Sequence, residues 1–351
     1  MFVIRPIHES DLDGLMALLE DSGHGLTSLP KDREIIKNKI LYSERSFEHR
    51  GERPNGESYL FVMEELFTGK IVGISGIISK IGGFEPYYFY RLKEEERHSK
   101  LLNVTKNIRS LHFEKIHAGP AEICSLFLSP EFRNSQNGRF LSLSRFLFMA
   151  EDRKYFEDQV IAEMRGKVND QGHSPFWEAV GRKFMDIDFA QADYMQMKSK
   201  RFIEELLPDH PILIDLLPED AQKVVGEVHP HTEPAKHILQ QEGFTFGGLV
   251  GIFEPGPVLR ANLDEVRALK ESQIVEVGEI TDEPIDSEVL VLSTSGDDKE
   301  FKSCLGKLEI LPDGRAKIGA VAATALKLRF NEKLRYVTLK AAKPPKQEKL
   351  I

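Results

Sequence analysis

The sequence predicts an α+β protein: two related α/β halves with mixed, mostly antiparallel sheets, followed by a small β-rich C-terminal domain. Three observations lead there. Through the first 260 residues, apolar runs of strand length alternate with segments whose apolar residues recur at helical spacing. A strand, a cap, a proline and a glycine with phenylalanine beyond it are written at 160–184 and approximated at 224–244. Beyond Pro257 the helical spacing gives way to short β-rich runs parted by turn signals. A chain of 351 residues exceeds one typical core. The boundaries expected are 1–195 and 196–260 for the two halves, 261–342 for the β-rich domain and 343–351 for a tail.

In order, Phe2 to Arg5 alternates as a strand closed by Pro6, and Ser10-Asp11 offers an N-cap to a helix carrying Leu12, Leu15, Met16, Leu18 and Leu19 on one face. The glycine-bearing GHGLTSLP (23–30) is irregular, with a second helix after Pro30. Tyr59–Glu64 and Ile71–Ser79 read as strands joined by a hairpin at Thr68-Gly69-Lys70. From Gly83 to His117 an aromatic cluster is followed by KEEERHSK, a charge run expected to be a solvated loop or helix. Ile123 to Leu128 is a short apolar strand that Ser129-Pro130 ends, because proline cannot continue a central ladder. The polar loop FRNSQNGR leads into a helix of Phe140, Leu141, Leu143, Phe146, Leu147 and Met149. Val160–Met164 is a strand, and Ser174 caps a helix that Pro175 opens and Gly181 stops. Val224–Val228 is read as the matching strand, with Thr232 as cap, Pro234 in the first turn and Gly243-Phe244 at the end. The aligned VIAEM and VVGEV place His229 where Arg165 stands; a chance recurrence of common helix signals is the other reading. The basic AAKPPKQEKLI is a disordered tail.

Composition narrows the function. A formal net charge of -9 argues against a nucleic-acid surface as the main function, while leaving room for a local basic pocket for a polyanion. Two cysteines, Cys124 and Cys304, form neither a disulfide framework nor a zinc pattern, so no metal is expected and a reducing cytoplasm suits the chain. No apolar signal core opens the sequence and no run reaches membrane-spanning length, so a cytoplasmic protein with no membrane partner is expected.

The strand–loop–helix from Ala121 to Ala150 is the order in which a chain presents backbone N–H groups to a phosphate. Its Arg133-Asn134-Ser135-Gln136-Asn137-Gly138 resembles the R-x-x-G-x-G loop of the GNAT superfamily of acyl-CoA N-acyltransferases, with Gln136 where the first glycine usually stands. More specifically, GLTSLP (25–30), EPYYFYR (85–91), EICSLFL (122–128), NGRFLSLSRFLFMAE (137–151), VIAEMRG (160–166), SPFWEAVGRKF (174–184), QADYM (191–195), VHPHTEPA with EGF (228–244) and IFEPGP (252–257) together resemble the arginine N-succinyltransferase family. The match runs in order through nearly everything up to residue 275, with Tyr87 where the family commonly has tryptophan.

The resemblance implies two GNAT-like halves and an acyl-CoA-dependent N-acyltransferase, with succinyl-CoA as donor cosubstrate and the α-amine of L-arginine as acceptor. The coenzyme pyrophosphate wants N–H donors and positive charge, which Arg133, Gln136, Asn137, Gly138 and Arg139 offer at a helix N-terminus. The resemblance places Leu126 at the coenzyme through its backbone, with Leu128 beside it. It assigns the proton donor to His229; read from the residues alone, His229 could equally help start the next helix, and His231 is its substitute. For the substrate, Thr27, Tyr88, Glu122 and Glu163 are candidates, with Tyr87 and Asp193 near them, since a guanidinium takes carboxylates or an aromatic face. The free succinyl carboxylate requires a cation that the sequence does not single out. Two other functions stay open: N-acylation of ornithine or another basic amine, and a catalytically silent CoA-binding subunit. Homo- and hetero-oligomers are both compatible.

Overall fold

The computed structural model describes residues 1–340 except 23–25, 27, 50, 135, 169–171 and 297–298. Thr27 and the tail from 343 therefore lie outside the described residues. The first stretch gives β1 (Phe2–Pro6), α1 (Leu12–Glu20), α2 (Arg33–Glu48), β2 (Ser58–Glu65), β3 (Ile71–Ile78), β4 (Tyr87–Ser99), β5 (Val104–Ile116) and β6 (Ala121–Leu128). Next come α3 (Asn137–Glu151), β7 (Gln159–Glu163), α4 (Pro175–Ala179), α5 (Gly181–Met185), α6 (Phe189–Gln196), α7 (Arg201–Leu206), β8 (Ile212–Leu213), α8 (Glu219–Val224), α9 (Glu233–Gln241), β9 (Thr245–Val250), β10 (Pro257–Asn262) and α10 (Arg267–Lys270). The chain closes with β11 (Gln273–Thr281), β12 (Leu290–Thr294), β13 (Ser303–Gly306), β14 (Leu308–Ile310), β15 (Ala316–Gly319), α11 (Ala320–Leu326) and β16 (Lys333–Thr338).

Among the described residues these strands form one continuous mixed sheet in the order β14-β15-β11-β16-β12-β13-β1-β2-β3-β6-β7-β10-β9-β4-β5-β8. The helix α3 is buried on nearly every side, as a helix with apolar residues all round must be. Its Phe140, Phe146 and Phe148 meet Phe61 and Ile123 of the sheet, together with Val291, Phe301 and Val337 from the C-terminal strands. Strands after residue 261 thus continue the same sheet, through Val3↔Cys304, and share the main core.

Three expectations are corrected, and a fourth, the helix stop at Gly181, holds for α4 with an addition. KEEERHSK is neither loop nor helix: β4 and β5 form a hairpin paired from Tyr87↔Ile116 to Ser99↔Val104. Its root, with Tyr88, Phe89, Tyr90 and Leu111, is buried, while the outer part is wetted on both faces, so no alternation of polarity marks it as strand. Val224–Val228 is not a strand: α8 ends at Val224, Gly226 turns at φ 79°, and only Val228 bridges, to Gly166. The alignment of VIAEM with VVGEV therefore does not hold as structure. Gly181 opens a second short helix, α5, because a Cβ there would sit 2.2 Å from the Trp177 ring and only glycine lets the two helices meet. Asp11 does not cap α1 by its side chain; the carboxylate accepts from the His8 N–H at 2.8 Å and pairs with Arg5.

Candidate active site

The parallel strands β6 and β7 pair only at Ala121↔Val160 and Glu122↔Ile161, and beyond those two positions they diverge. On its other side β6 bulges against β3: Ser125, at φ 52°, and Leu126 drop out of the register between Cys124↔Gly76 and Phe127↔Ile74. The splay opens a cavity of about 240 Å³ between Ile123–Leu126 on one wall and Ala162–Gly166 on the other. Leu26 and Ser28 of GLTSLP also line it, and the Ser28 hydroxyl lies 2.9 Å from that of Ser125.

The cavity is rich in carboxylates. Glu122, Glu163, Asp193 and Glu254 line it, with Tyr87 donating its hydroxyl to Glu163 at 3.2 Å. Burial raises the Glu122 carboxyl to about 7, aided by repulsion from Glu163 and opposed by Lys200 and Lys39. Glu163 faces the open cleft with much of its side chain accessible, yet its surroundings also hold it above the usual range. Burial raises Asp193 to about 6 against a 2.6 Å bond from the Gln196 amide. It raises Glu254 to about 7 against the pull of Arg165. Among the described residues Arg165 Nε and Glu254 Oε1 are both buried without a hydrogen-bond partner and face each other at 3.6 Å, an ion pair too long to be a hydrogen bond. Lys200 lies 3.3 Å above the Tyr87 ring.

At the start of α3, Asn134 Oδ1 accepts from the N–H groups of Gln136, at 3.0 Å, and Asn137, at 2.8 Å. Among the described residues the first i→i−4 bond of the helix runs from Phe140 to Gln136, which puts the amides of Gly138 and Arg139 in the first turn. Among the described residues a Cβ at Gly138 would meet nothing within 4 Å, so there is free space beside this first turn. Arg133 is exposed and ties the loop to the strand end through Nε to Leu128 O at 3.0 Å. Arg139 differs from expectation: its side chain is buried and faces Glu242 at 3.3 Å rather than the loop. Asn137 is likewise buried, its amide donating to Phe132 O. Of the apolar pair, Leu126 lines the cavity, whereas Leu128 packs in the core.

His229 borders the cavity rather than lining it, next to Thr232 and Ala235, which do line it. Its N–H donates to Arg165 O at 2.8 Å, joining the loop before α9 to the strand end after β7. Burial, then Arg165 and His231, lower its affinity for a second proton, so the imidazole is neutral at pH 7. Nδ1 accepts from the His231 N–H at 3.2 Å, which puts the neutral ring's own proton on Nε2. Tyr88 lies apart from the cavity, buried in a separate core cluster and donating to Glu204 at 2.8 Å, while alternation along β4 presents Tyr87 to the cavity. Burial pushes the Cys124 thiol up to about 12, so it remains a thiol at neutral pH and is not a nucleophile. Sequence reasoning passed over Arg145, a cavity-lining arginine inside the apolar α3; a lone cation amid FLSLSRFLFM was its signal. A larger surface hollow of about 990 Å³, near His8, Phe47 and Lys299, contains none of these residues.

A family model described as arginine N-succinyltransferase beta subunit matches residues 2–268. An arginine N-succinyltransferase of Yersinia enterocolitica is 41% identical over 339 residues, covering 93% of this chain and 97% of its own. One from Escherichia coli is 43% identical over 281 residues, covering 80% of this chain and 81% of its own. The solved arginine/ornithine succinyltransferase subunit AI from Pseudomonas aeruginosa is similar with a TM-score of 0.86 at 32% identity, covering 97% of this chain and 99% of that one. Fold, cavity and relatives together define an acyl-CoA-dependent N-acyltransferase. The chain belongs to the arginine N-succinyltransferase family.

Proposed function

We propose that the chain transfers succinyl from succinyl-CoA to the α-amine of L-arginine in arginine catabolism. The observation that carries this is the splay of β6 from β7, which opens beside an unladdered Leu126 and ends in a cluster of carboxylates. In this reading the coenzyme lies along β6, with its pyrophosphate at the Gly138 and Arg139 amides and near Arg133. The thioester oxygen takes the backbone N–H of Leu126 as it gains charge, a donor worth roughly 3–4 kcal/mol in comparable acyl transfers. Glu122 and Glu163 face the cationic acceptor. The Nε2–H of neutral His229 donates a hydrogen bond to the departing thiolate sulfur and stabilises its developing charge. The acceptor amine attacks the carbonyl carbon, the C–S bond breaks, and the proton lost by the amine nitrogen passes through a carboxylate of the cluster to the departing sulfur, so that CoA leaves as the thiol.

The division at residues 195 and 260 belongs to the same proposal: the second half supplies His229, and its link to Arg165 O crosses to the first half. The name of the Pseudomonas aeruginosa relative, which includes ornithine, favours that amine as the second acceptor to test. The "subunit" in the relatives' names supports assembly with an unlike chain.

The test is release of CoA thiol from succinyl-CoA with arginine, ornithine or lysine, and with acetyl-CoA as control donor. Arginine-dependent release is expected; release without amine would mean hydrolysis and reject the transfer. His229→Ala should keep its Tm and coenzyme affinity and lose about 10²–10⁴-fold in turnover. A loss under about tenfold, with chemistry rate-limiting, removes His229 from proton handling.

A further inference from the structure

Resting on the reading of a succinyl donor, we infer that Arg145 is the specificity residue that receives the free carboxylate of the acyl group. Two arginines line the cavity, Arg145 and Arg165. Arg165 already faces Glu254. Arg145 is 2% exposed and has no carboxylate among the described residues as an ion-pair partner. Its guanidinium donates to Ser142 O at 3.2 Å, to Ser142 Oγ at 2.9 Å and, at the 3.5 Å limit, to Cys124 O. Those bonds hold the group in one orientation against the bulged strand but leave donors and a full charge uncompensated.

A buried cation without a counter-ion is costly to a fold, and burial accordingly lowers this arginine to about 10, still charged at neutral pH. Other arginines withdrawn from solvent are compensated: Arg139 by Glu242, and Arg5 by Asp11 and Glu64. The missing partner of Arg145 is an anion that enters the cavity beside Cys124 and Leu126, where the thioester is placed. A dicarboxylic acyl chain offers one: its second carboxylate lies two methylenes beyond the carbonyl and meets the guanidinium when the chain extends from the splay toward α3. The carboxylates that line the same cavity serve the cationic acceptor, so the site offers one partner to each sign of charge.

The experiment compares succinyl-CoA with butyryl-CoA, its uncharged counterpart of equal chain length, with arginine as acceptor. The wild type should prefer succinyl-CoA strongly in kcat/KM; no preference would overturn the succinyl reading itself and leave Arg145 without a ligand. In Arg145→Met the kcat/KM for succinyl-CoA should fall about 100-fold or more, and that for butyryl-CoA should change by less than about threefold. Arg145→Lys, which keeps the charge, should retain part of the preference and serves as the reading if the Met variant does not fold. Equal losses for both donors would reduce Arg145 to a support of the bulged strand, and an unchanged donor ratio in either folded variant overturns the proposal.

Discussion

Glu122 illustrates how a single side chain can work against the fold for the sake of the site. Burial and Glu163 raise its carboxyl to about 7, above its ordinary 4.5, so between those values the native protein holds a proton that the unfolded chain has released. Its contribution to stability therefore falls as pH rises through that window and stays low above it. Glu122→Gln should raise Tm at pH 8 while leaving it nearly unchanged at pH 4, and should weaken arginine binding. Melts shifted equally at both pH values would dismiss the ionisation account. The sequence marked Glu122 and Glu163 because carboxylates suit a cationic acceptor. It could not show that adjacent parallel strands bring them together, nor that Arg145 turns inward, since both depend on the path of β6.

At the scale of elements, local signals told most where structure is locally determined. Ser174 caps α4 by accepting from the Trp177 N–H at 3.1 Å, as its place before Pro175 implied. They failed where pairing decides: the β4–β5 hairpin is held by its ladder, and Val224–Val228 has strand-like residues but begins in α8 and pairs only at Val228, with Gly166. Two glycines yield predictions. Gly138→Val places its side chain in open space, so Tm should hold, whereas affinity for CoA should drop about tenfold or more as the approach to the first-turn amides is blocked. Unchanged affinity in the folded variant would take the pyrophosphate away from α3. Gly256→Ala is the opposite case: its Cβ would sit 2.1 Å from Met164 O and 2.6 Å from the Gly166 nitrogen, pushing on the cavity wall that carries Arg165. It should cost about 1–3 kcal/mol or more in denaturant melts and depress turnover along with stability. A neutral Gly256→Ala would mean the wall yields freely.

For the molecule as a whole, the C-terminal strands were legible as β-rich segments but not as part of the main core. Phe301 packs edge-on against Phe61, at 5.6 Å between centroids, and Phe148, at 5.3 Å; Val291, Val337 and Leu339 close the same cluster. Glu151, at the end of α3, is held by Arg335 at 2.5 Å and Ser295 at 3.0 Å. A chain ended after residue 268 should lose cooperative melting, since deleting even one such phenylalanine contact typically costs about 3–5 kcal/mol. A truncated protein melting at the full-length temperature would show that the strands are dispensable.

The pairing of Val3 with Cys304 also sets a clock for biosynthesis. At roughly 5–20 residues per second the ribosome needs roughly 15–60 s to travel between those two positions. For most of that interval, once β2 has been made, the nascent β1 has β2 on one side and no strand on the other, a bare edge on a growing chain. Slow translation or crowded polysomes should thus favour pairing between neighbouring nascent chains, and a chaperone that shelters strand edges should raise the yield of folded enzyme more than one that acts after release.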